Sequence, residues 1–494
     1  MKFNSGKLAA LVAGPLVFAV LFFLFQPEGL SMQGRAILAG TAWIAIWWIT
    51  EAIPIPATSL LPIIIFPLSG AMSLSNTTSS YGHSMVFLYM GGFMIALAME
   101  KWNLHRRIAL NIIKLVGTNV RNIILGFMIS SAFISMWISN TATTMMMFPI
   151  ALAVARQFGV LFNLENEEMA ALEEKKFGIS IMLGIAWASS IGGMSTLIGT
   201  PTNAIFSAVI RDYYNTSITF SDWMLFGLPV SILILVICWL FLTRVAFKPR
   251  INQFAGISDT IDSELAGLGK ISPEETKVLI VFLFTAISWI TRSFFITKVF
   301  PGIDDTIIAI AGALVLFLIP AGKKDFVLDW DTARRLPWGI LLLFGGGLAI
   351  ANGFSDTGLA EWIGNYLKVF SGTDFLIILA AVVILINFLT EITSNVATIS
   401  IMLPIIASIA AALEMHPFGL MIAATISASC AYMLPVSTPP NAIVFSSGYI
   451  KITEMAKTGF LMNVVSIIII IVMIKYYLPL VMDLPELQAR PVIP

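Results

Sequence analysis

Apolar stretches of about 18 to 30 residues recur along the whole chain, separated by short polar segments. About 20 apolar residues carry a helix across a bilayer core. The pattern predicts spans near 8–25, 36–53, 56–68 (short and proline-rich), 82–100, 178–210 and 223–244, then near 277–297, 305–320, 338–354, 417–447 and 459–480. Two further apolar segments, 121–155 and 374–412, are too long for one helix and slightly short for two full crossings. Each carries a polar Ser-Asn cluster near its middle. A re-entrant hairpin fits both, since non-helical backbone at membrane depth survives only where protein or a water-filled cavity covers it. The fold class expected is an all-α polytopic membrane protein with about 11 transmembrane helices and two re-entrant hairpins.

Composition agrees and removes other classes. Of 494 residues, 58% are hydrophobic and 11% charged, against roughly 25% charged in a soluble domain. The net charge is zero with no basic stripe, so nucleic acid is not an expected partner. Cys238 and Cys430 both lie in apolar runs, which suits buried side chains and neither a disulfide framework nor a zinc site. His83, His105 and His416 are scattered, and no H-E-x-x-H or G-x-S-x-G motif occurs, so no enzyme is indicated. Lys2 and Lys7 before the apolar run Leu8–Phe25 resemble a signal peptide. Gln26-Pro27-Glu28 is not a small-residue cleavage site, so a retained first span is expected.

Charge then orients the chain. With the N-terminus inside, 21 of the 28 Lys and Arg fall on cytoplasmic segments. They cluster at Lys101/Arg106/Arg107, Lys175/Lys176, Arg244/Lys248/Arg250/Lys270 and Lys323/Lys324/Arg334/Arg335. That bias places the N-terminus in the cytoplasm and, after eleven crossings, the C-terminus outside. The expected location is the inner (plasma) membrane. The polar segments 156–177 and 245–276 read as a cytoplasmic connector and as the linker between two halves.

The chain also resembles itself at an offset of about 255. Ser139-Asn140-Thr141-Ala142-Thr143 recurs as Ser394-Asn395-Val396-Ala397-Thr398, Phe148-Pro149-Ile150 as Leu403-Pro404-Ile405, and Gly91-Gly92 as Gly345-Gly346. Thr200-Pro201-Thr202-Asn203 recurs as Thr438-Pro439-Pro440-Asn441, at an offset of 238 that the connector 156–177 accounts for. In the predicted topology the two copies face opposite ways. Inverted repeats with helices broken by Gly and Pro point to the midplane site of a secondary transporter; a relic of duplication is the alternative.

The clusters supply hydroxyls, amides, freed carbonyls and helix N-termini. Hydroxyls, Asn amides and N-terminal N–H groups suit a carboxylate, and freed carbonyls with side-chain oxygens suit a hard cation such as sodium. Any single Ser or Thr could instead bond its own i−4 carbonyl or a neighbouring helix. Buried amides without partners cost several kcal/mol in hydrocarbon, and two Asn at equivalent positions are hard to explain as packing. Of the intramembrane acids, Glu391 could serve the site or steady its hairpin, and Glu51 suits the cytoplasmic interface. Asn387 and Trp137 flank the clusters as braces.

At these residues the sequence resembles the divalent anion/sodium symporters, which carry di- and tricarboxylates. The family signature is a pair of Ser-Asn-Thr motifs at opposed hairpin tips, each partnered by a Thr-Pro break; Ser139-Asn140-Thr141 with Thr200-Pro201 and Ser394-Asn395-Val396 with Thr438-Pro439 carry the resemblance, which runs over essentially the whole chain. It implies a homodimer in which a transport domain moves against a scaffold domain by an elevator-like mechanism. The division implied is 1–120 for scaffold helices and a first interfacial arm near 106–118, then 121–222 for the first hairpin and broken helix. Residues 223–354 would be scaffold helices and linker, 374–458 the second hairpin and broken helix, and 459–494 the last span. The resemblance puts one sodium site at Ser135, Ser139, Asn140 and Gly199 and a second at Thr390, Thr393, Asn395 and Ser437. Substrate carboxylates would meet Ser139, Asn140, Thr141, Thr200, Ser394, Asn395 and Thr438, with Pro201 and Pro439 shaping the breaks. Val396 stands where the family motif has Thr, so one hydroxyl is missing on that side.

The reading that follows is a sodium-coupled importer of C4-dicarboxylates such as succinate, malate or fumarate. A sodium-independent exchanger on the same fold, citrate or sulfate as substrate, and an ion channel are its rivals.

Overall fold

The computed structural model describes residues 5–117, 119–161, 167–249, 257–322 and 325–482. Lys2, Arg250, Lys323 and Lys324 from the basic clusters, and part of the 156–177 connector, lie outside those residues. Helices dominate; the described residues contain a single two-stranded ladder, Pro320–Ala321 with Asp325–Phe326. Among the described residues, seven helices are long and apolar enough to cross a membrane, and five shorter apolar ones accompany them. The short proline-rich span resolves into two pieces, Ile55–Thr58 and Leu61–Leu68, because Pro54, Pro56 and Pro62 withhold backbone donors there.

Both segments read as hairpins are helix–turn–helix units. The first joins Val120–Ser135 to Asn140–Leu161, and the second joins Phe375–Leu389 to Asn395–Ala412. Each turns at its Ser-Asn cluster, where Ser139 and Ser394 stand just ahead of the second arm. The spans at 178–210 and 417–447 are each two helices with an irregular stretch between them. The first runs Glu167–Gly193 and then Pro201–Tyr214, the second Pro417–Ala428 and then Pro439–Phe445. Pro at the first helical position explains both restarts, since its missing N–H is one that no helix could satisfy.

Close backbone approaches lock the first hairpin to its broken helix. A Cβ on Gly192 would lie 2.1 Å from the Ala132 carbonyl oxygen, so only glycine lets Val120–Ser135 pack there. Gly91 likewise lets Ser84–Lys101 meet Ala309 of Asp305–Leu318. A smaller apolar core gathers Ile44, Trp48, Phe66, Ile350 and Phe354, joining the N-terminal helices to Trp338–Asp356.

Most of the segment expected as an arm, 106–118, falls on the amphipathic helix Leu104–Val116, and residue 118 lies outside the described residues. The 245–276 linker is not a bare loop, for it contains the helix Ile257–Gly267. Arm and linker are joined by charge. Arg106 pairs with Glu264, Lys114 Nζ lies 2.6 Å from Asp262, and Arg107 Nε lies 2.9 Å from Glu275. Glu275 also closes the capping box of Pro273–Thr291 with Ser272. At the nearby helix end, a hydrogen bond from the Lys101 ammonium holds the Asp329 carboxyl down to about 2. A second amphipathic helix, Leu359–Leu367, lies in a stretch the hydropathy pattern passed over.

Candidate functional site

The two turns and the two breaks meet at one cavity of about 810 Å³. Its wall contains Ser139, Asn140, Thr141, Gly199, Thr200 and Pro201 from the first half of the chain. From the second half come Thr393, Ser394, Asn395, Val396, Ser437, Thr438 and Pro439. Residues about 255 positions apart are thus brought to one volume. Ser135 and Thr390, expected beside them, are fully buried one layer behind the wall and reach it through the Asn side chains.

That second layer repeats itself. Ser135 Oγ lies 2.6 Å from the Asn140 amide, and Thr390 Oγ1 lies 2.6 Å from Asn395 Oδ1 and 2.8 Å from Ala428 O. In each case the hydroxyl ends the first arm and the Asn begins the second, five residues on. The inward end of the Asn140 amide also lies 3.2 Å from Ser189 O and 3.3 Å from Gly199 O. With nitrogen inward it donates to these oxygens. With oxygen inward, four oxygens converge on one small volume, the ligand type that a hard cation takes. Hydrogen positions distinguish the two, and a bound cation would select the second.

Helix N-termini face the same space. Asn140–Leu161, Pro201–Tyr214, Asn395–Ala412 and the two-turn Pro439–Phe445 all begin at residues in the cavity wall. Their unpaired N–H groups and dipoles favour an anion without a lysine or arginine between them. Ser394 makes no cap bond to its own helix and Ser139 Oγ only a 3.3 Å contact from Ala142 N, so both hydroxyls can serve a ligand.

The breaks are held open by residues whose part the sequence reading left unassigned. Asn203 Nδ2 donates to Thr196 O at 2.7 Å and to Gly193 O at 3.2 Å. Asn441 Nδ2 donates to Ala431 O, Leu434 O and Ser437 Oγ at 3.0–3.1 Å. Both Asn are fully buried and stand at equivalent repeat positions, so the signal was present in the Thr-Pro-x-Asn match. Thr196 Oγ1 binds Met136 O at 2.6 Å, tying the first break to its hairpin turn. Tyr89, on Ser84–Lys101, sends its hydroxyl to the carbonyls of Leu197 (2.8 Å) and Thr200.

Glu391 steadies the second break and does not line the cavity. Its oxygens accept from Tyr432 N at 2.7 Å, Met433 N at 3.0 Å, Leu434 N at 3.3 Å and Asn463 Nδ2 at 2.8 Å. Asn387 Nδ2 adds a 3.1 Å bond to Cys430 O, and Trp137 stacks on Phe220, so both are braces. Glu51 lines the cavity.

Residues 5–484 match the family described as the sodium:sulfate symporter transmembrane region. The chain belongs to this family. Its members are transporters, and the protein is a multi-pass membrane transporter and not an enzyme. It is 44% identical over 99% of its length to the sodium-dependent dicarboxylate transporter SdcS of Staphylococcus saprophyticus, covering 95% of that protein. The SdcS of Staphylococcus aureus is also 44% identical, with 99% and 94% covered. Among solved structures, Neisseria gonorrhoeae MtrF aligns with a TM-score of 0.55 at 13% identity, over 95% of each chain. The Alcanivorax borkumensis YdaH transporter aligns with a TM-score of 0.55 at 11% identity, over 89% of this chain and 98% of its own. Those two likenesses concern the fold alone.

Proposed function

We propose that this symporter-family protein imports C4-dicarboxylates such as succinate, malate or fumarate, coupled to sodium. The observation that carries the reading is the cavity wall, where helix N-termini and free hydroxyls adjoin two hydroxyl–amide pairs. An anion fits the former, and a cation fits the latter. The names of the SdcS relatives support both halves of the reading.

In this reading Ser139, Asn140, Thr141, Thr200, Ser394, Asn395 and Thr438 meet the substrate carboxylates. One sodium takes Ser135, Ser139, Asn140 and Gly199, and the second takes Thr390, Thr393, Asn395 and Ser437. Pro201 and Pro439 keep the breaks open, and Val396 gives its corner of the wall an apolar surface. Two sodium ions neutralise a dianion. A third makes the cycle electrogenic, worth about 2.3 kcal/mol per 100 mV.

The two hairpins and broken helices, 121–222 and 374–458, form an inverted repeat and a transport domain. They move as one body against the scaffold of 1–120 and 223–354 within a homodimer, with the N-terminus cytoplasmic and the C-terminus outside. Helical connections on both hairpins and the buried links between the halves, such as Thr202 to Ser429 at 3.3 Å, favour motion as a unit.

Labelled-succinate uptake into proteoliposomes tests the reading, with an inward sodium gradient compared with potassium and empty vesicles compared with loaded ones. Sodium-driven uptake into empty vesicles is expected, and Asn140→Ala or Asn395→Ala should abolish it. Uptake only into loaded vesicles, indifferent to sodium, would make the protein an exchanger. No uptake of succinate beside uptake of citrate or sulfate would move the substrate.

A further inference from the structure

Asn140 and Asn395 each stand between the cavity and the layer behind its wall. Both line the cavity and are half-buried, while the hydroxyls they reach inward, Ser135 and Thr390, are fully buried. Around the inner end of the Asn140 amide lie Ser135 Oγ at 2.6 Å, Ser189 O at 3.2 Å and Gly199 O at 3.3 Å. The two carbonyls can only accept, so an amide oxygen facing inward meets them with no hydrogen between. An NH2 facing inward supplies two hydrogens to the same group of oxygens. At Asn395 the single hydrogen of the Thr390 hydroxyl has two acceptors within reach, Ala428 O at 2.8 Å and the amide oxygen at 2.6 Å. Both contacts are satisfied only when Thr390 donates to Ala428 and the amide nitrogen donates to Thr390. Without a cation, therefore, both amides rest with nitrogen inward. A hard cation reverses the preference, because it takes oxygen ligands.

We propose that sodium rotates these two amides, and that the rotation switches the cavity wall from refusing a carboxylate to binding it. With nitrogen inward, each Asn shows the cavity an oxygen, which has no hydrogen to give a carboxylate. With sodium bound and oxygen inward, the NH2 faces the cavity and donates. The last torsion of Asn is roughly two-fold and the amide has nearly the same shape either way, so the rotation displaces no neighbour. The inference rests on the reading above that sodium and a dicarboxylate share this site. It gives their coupling an atomic carrier in each half of the chain. A hydrogen bond to a charged group, gained at one amide, strengthens succinate binding at least about ten-fold. By reciprocity succinate strengthens sodium binding by the same factor.

The test uses the purified full-length protein in detergent. Succinate should bind the wild type at least about ten-fold more tightly in sodium than in equal potassium. Asn140→Asp and Asn395→Asp place oxygen at both ends of the side chain. Each variant should still show a sodium-dependent rise in melting temperature, yet lose about ten-fold or more of the gain that sodium brings to succinate binding. Asn140→Ala and Asn395→Ala should weaken both responses. Wild-type protein labelled with 15N at asparagine reads the rotation itself. Two side-chain NH2 pairs, assigned by their loss in the aspartate variants, should exchange with water slowly in potassium, faster in sodium, and slowly again once succinate is added.

Aspartate variants whose succinate affinity rises with sodium as in the wild type would overturn the rotation alone. So would a wild-type spectrum in which no NH2 pair responds to sodium, a result that decides the matter even where a variant fails to fold. Wild-type protein that binds succinate equally in both salts, or not at all, would overturn the sodium-coupled reading as well.

Discussion

Glu391→Ala is expected to be the most damaging single change outside the cavity wall. The carboxylate accepts from three consecutive backbone N–H groups, Tyr432, Met433 and Leu434, and from the Asn463 amide. It is 3% exposed, so the alanine variant leaves four donors without an acceptor in a nearly dry site. Each such donor costs about 1–3 kcal/mol. Water entering from the neighbouring cavity recovers part, and roughly 4 kcal/mol of destabilisation remains by the low end of that range. For a chain of 494 residues that corresponds to a fall of roughly 4 °C in the melting temperature of the detergent-solubilised protein. Glu391→Gln keeps one acceptor oxygen but turns an NH2 towards other donors, so it should fall between alanine and wild type. The same loop carries Leu434 O, which receives Asn441, and leads directly to Ser437 and Thr438. Uptake by surviving protein should therefore show raised KM for both sodium and substrate. A Glu391→Ala protein with wild-type melting temperature and uptake would refute the reasoning.

Four other substitutions separate the layers of the site. Ser135→Ala and Thr390→Ala remove hydroxyls behind the wall, so sodium KM in uptake assays should rise several-fold while substrate KM at saturating sodium changes less. Gly192→Ala forces a methyl into the Ala132 backbone, and thermal melting and expression should both report a loss of at least about 1–3 kcal/mol. Tyr89→Phe deletes one buried hydroxyl between Ser84–Lys101 and the first break. A stability loss of about 1 kcal/mol is expected, and a change in uptake rate beyond that loss would mark Tyr89 as part of the moving interface.

Much of this molecule is written locally. Long apolar runs need internally bonded backbone, which makes them helices whatever surrounds them. Polar Ser-Asn pairs inside such runs must turn, and Pro after Thr must restart a helix. The turns at Ser139-Asn140 and Ser394-Asn395 and the breaks at Thr200-Pro201 and Thr438-Pro439 were legible from the polar clusters and the internal repeat, whereas the roles of individual wall residues came from the family resemblance. The helix Leu104–Val116 falls where the family resemblance implied an arm. Helix ends were less legible, and the Ile257–Gly267 helix was missed because its charged face matches a loop in composition.

Tertiary structure decided which polar groups face the cavity and which hold it up. Sequence could not tell that Ser135 and Thr390 sit a layer deeper than Ser139 and Ser394, because a turn of helix rotates neighbours to different depths. Nor could it pair Glu391 with residues 41 to 72 positions further on, since hydrogen-bond partners across packed helices carry no periodic signal. Local chemistry fixed the parts and their turns; three-dimensional packing assigned each part its neighbours.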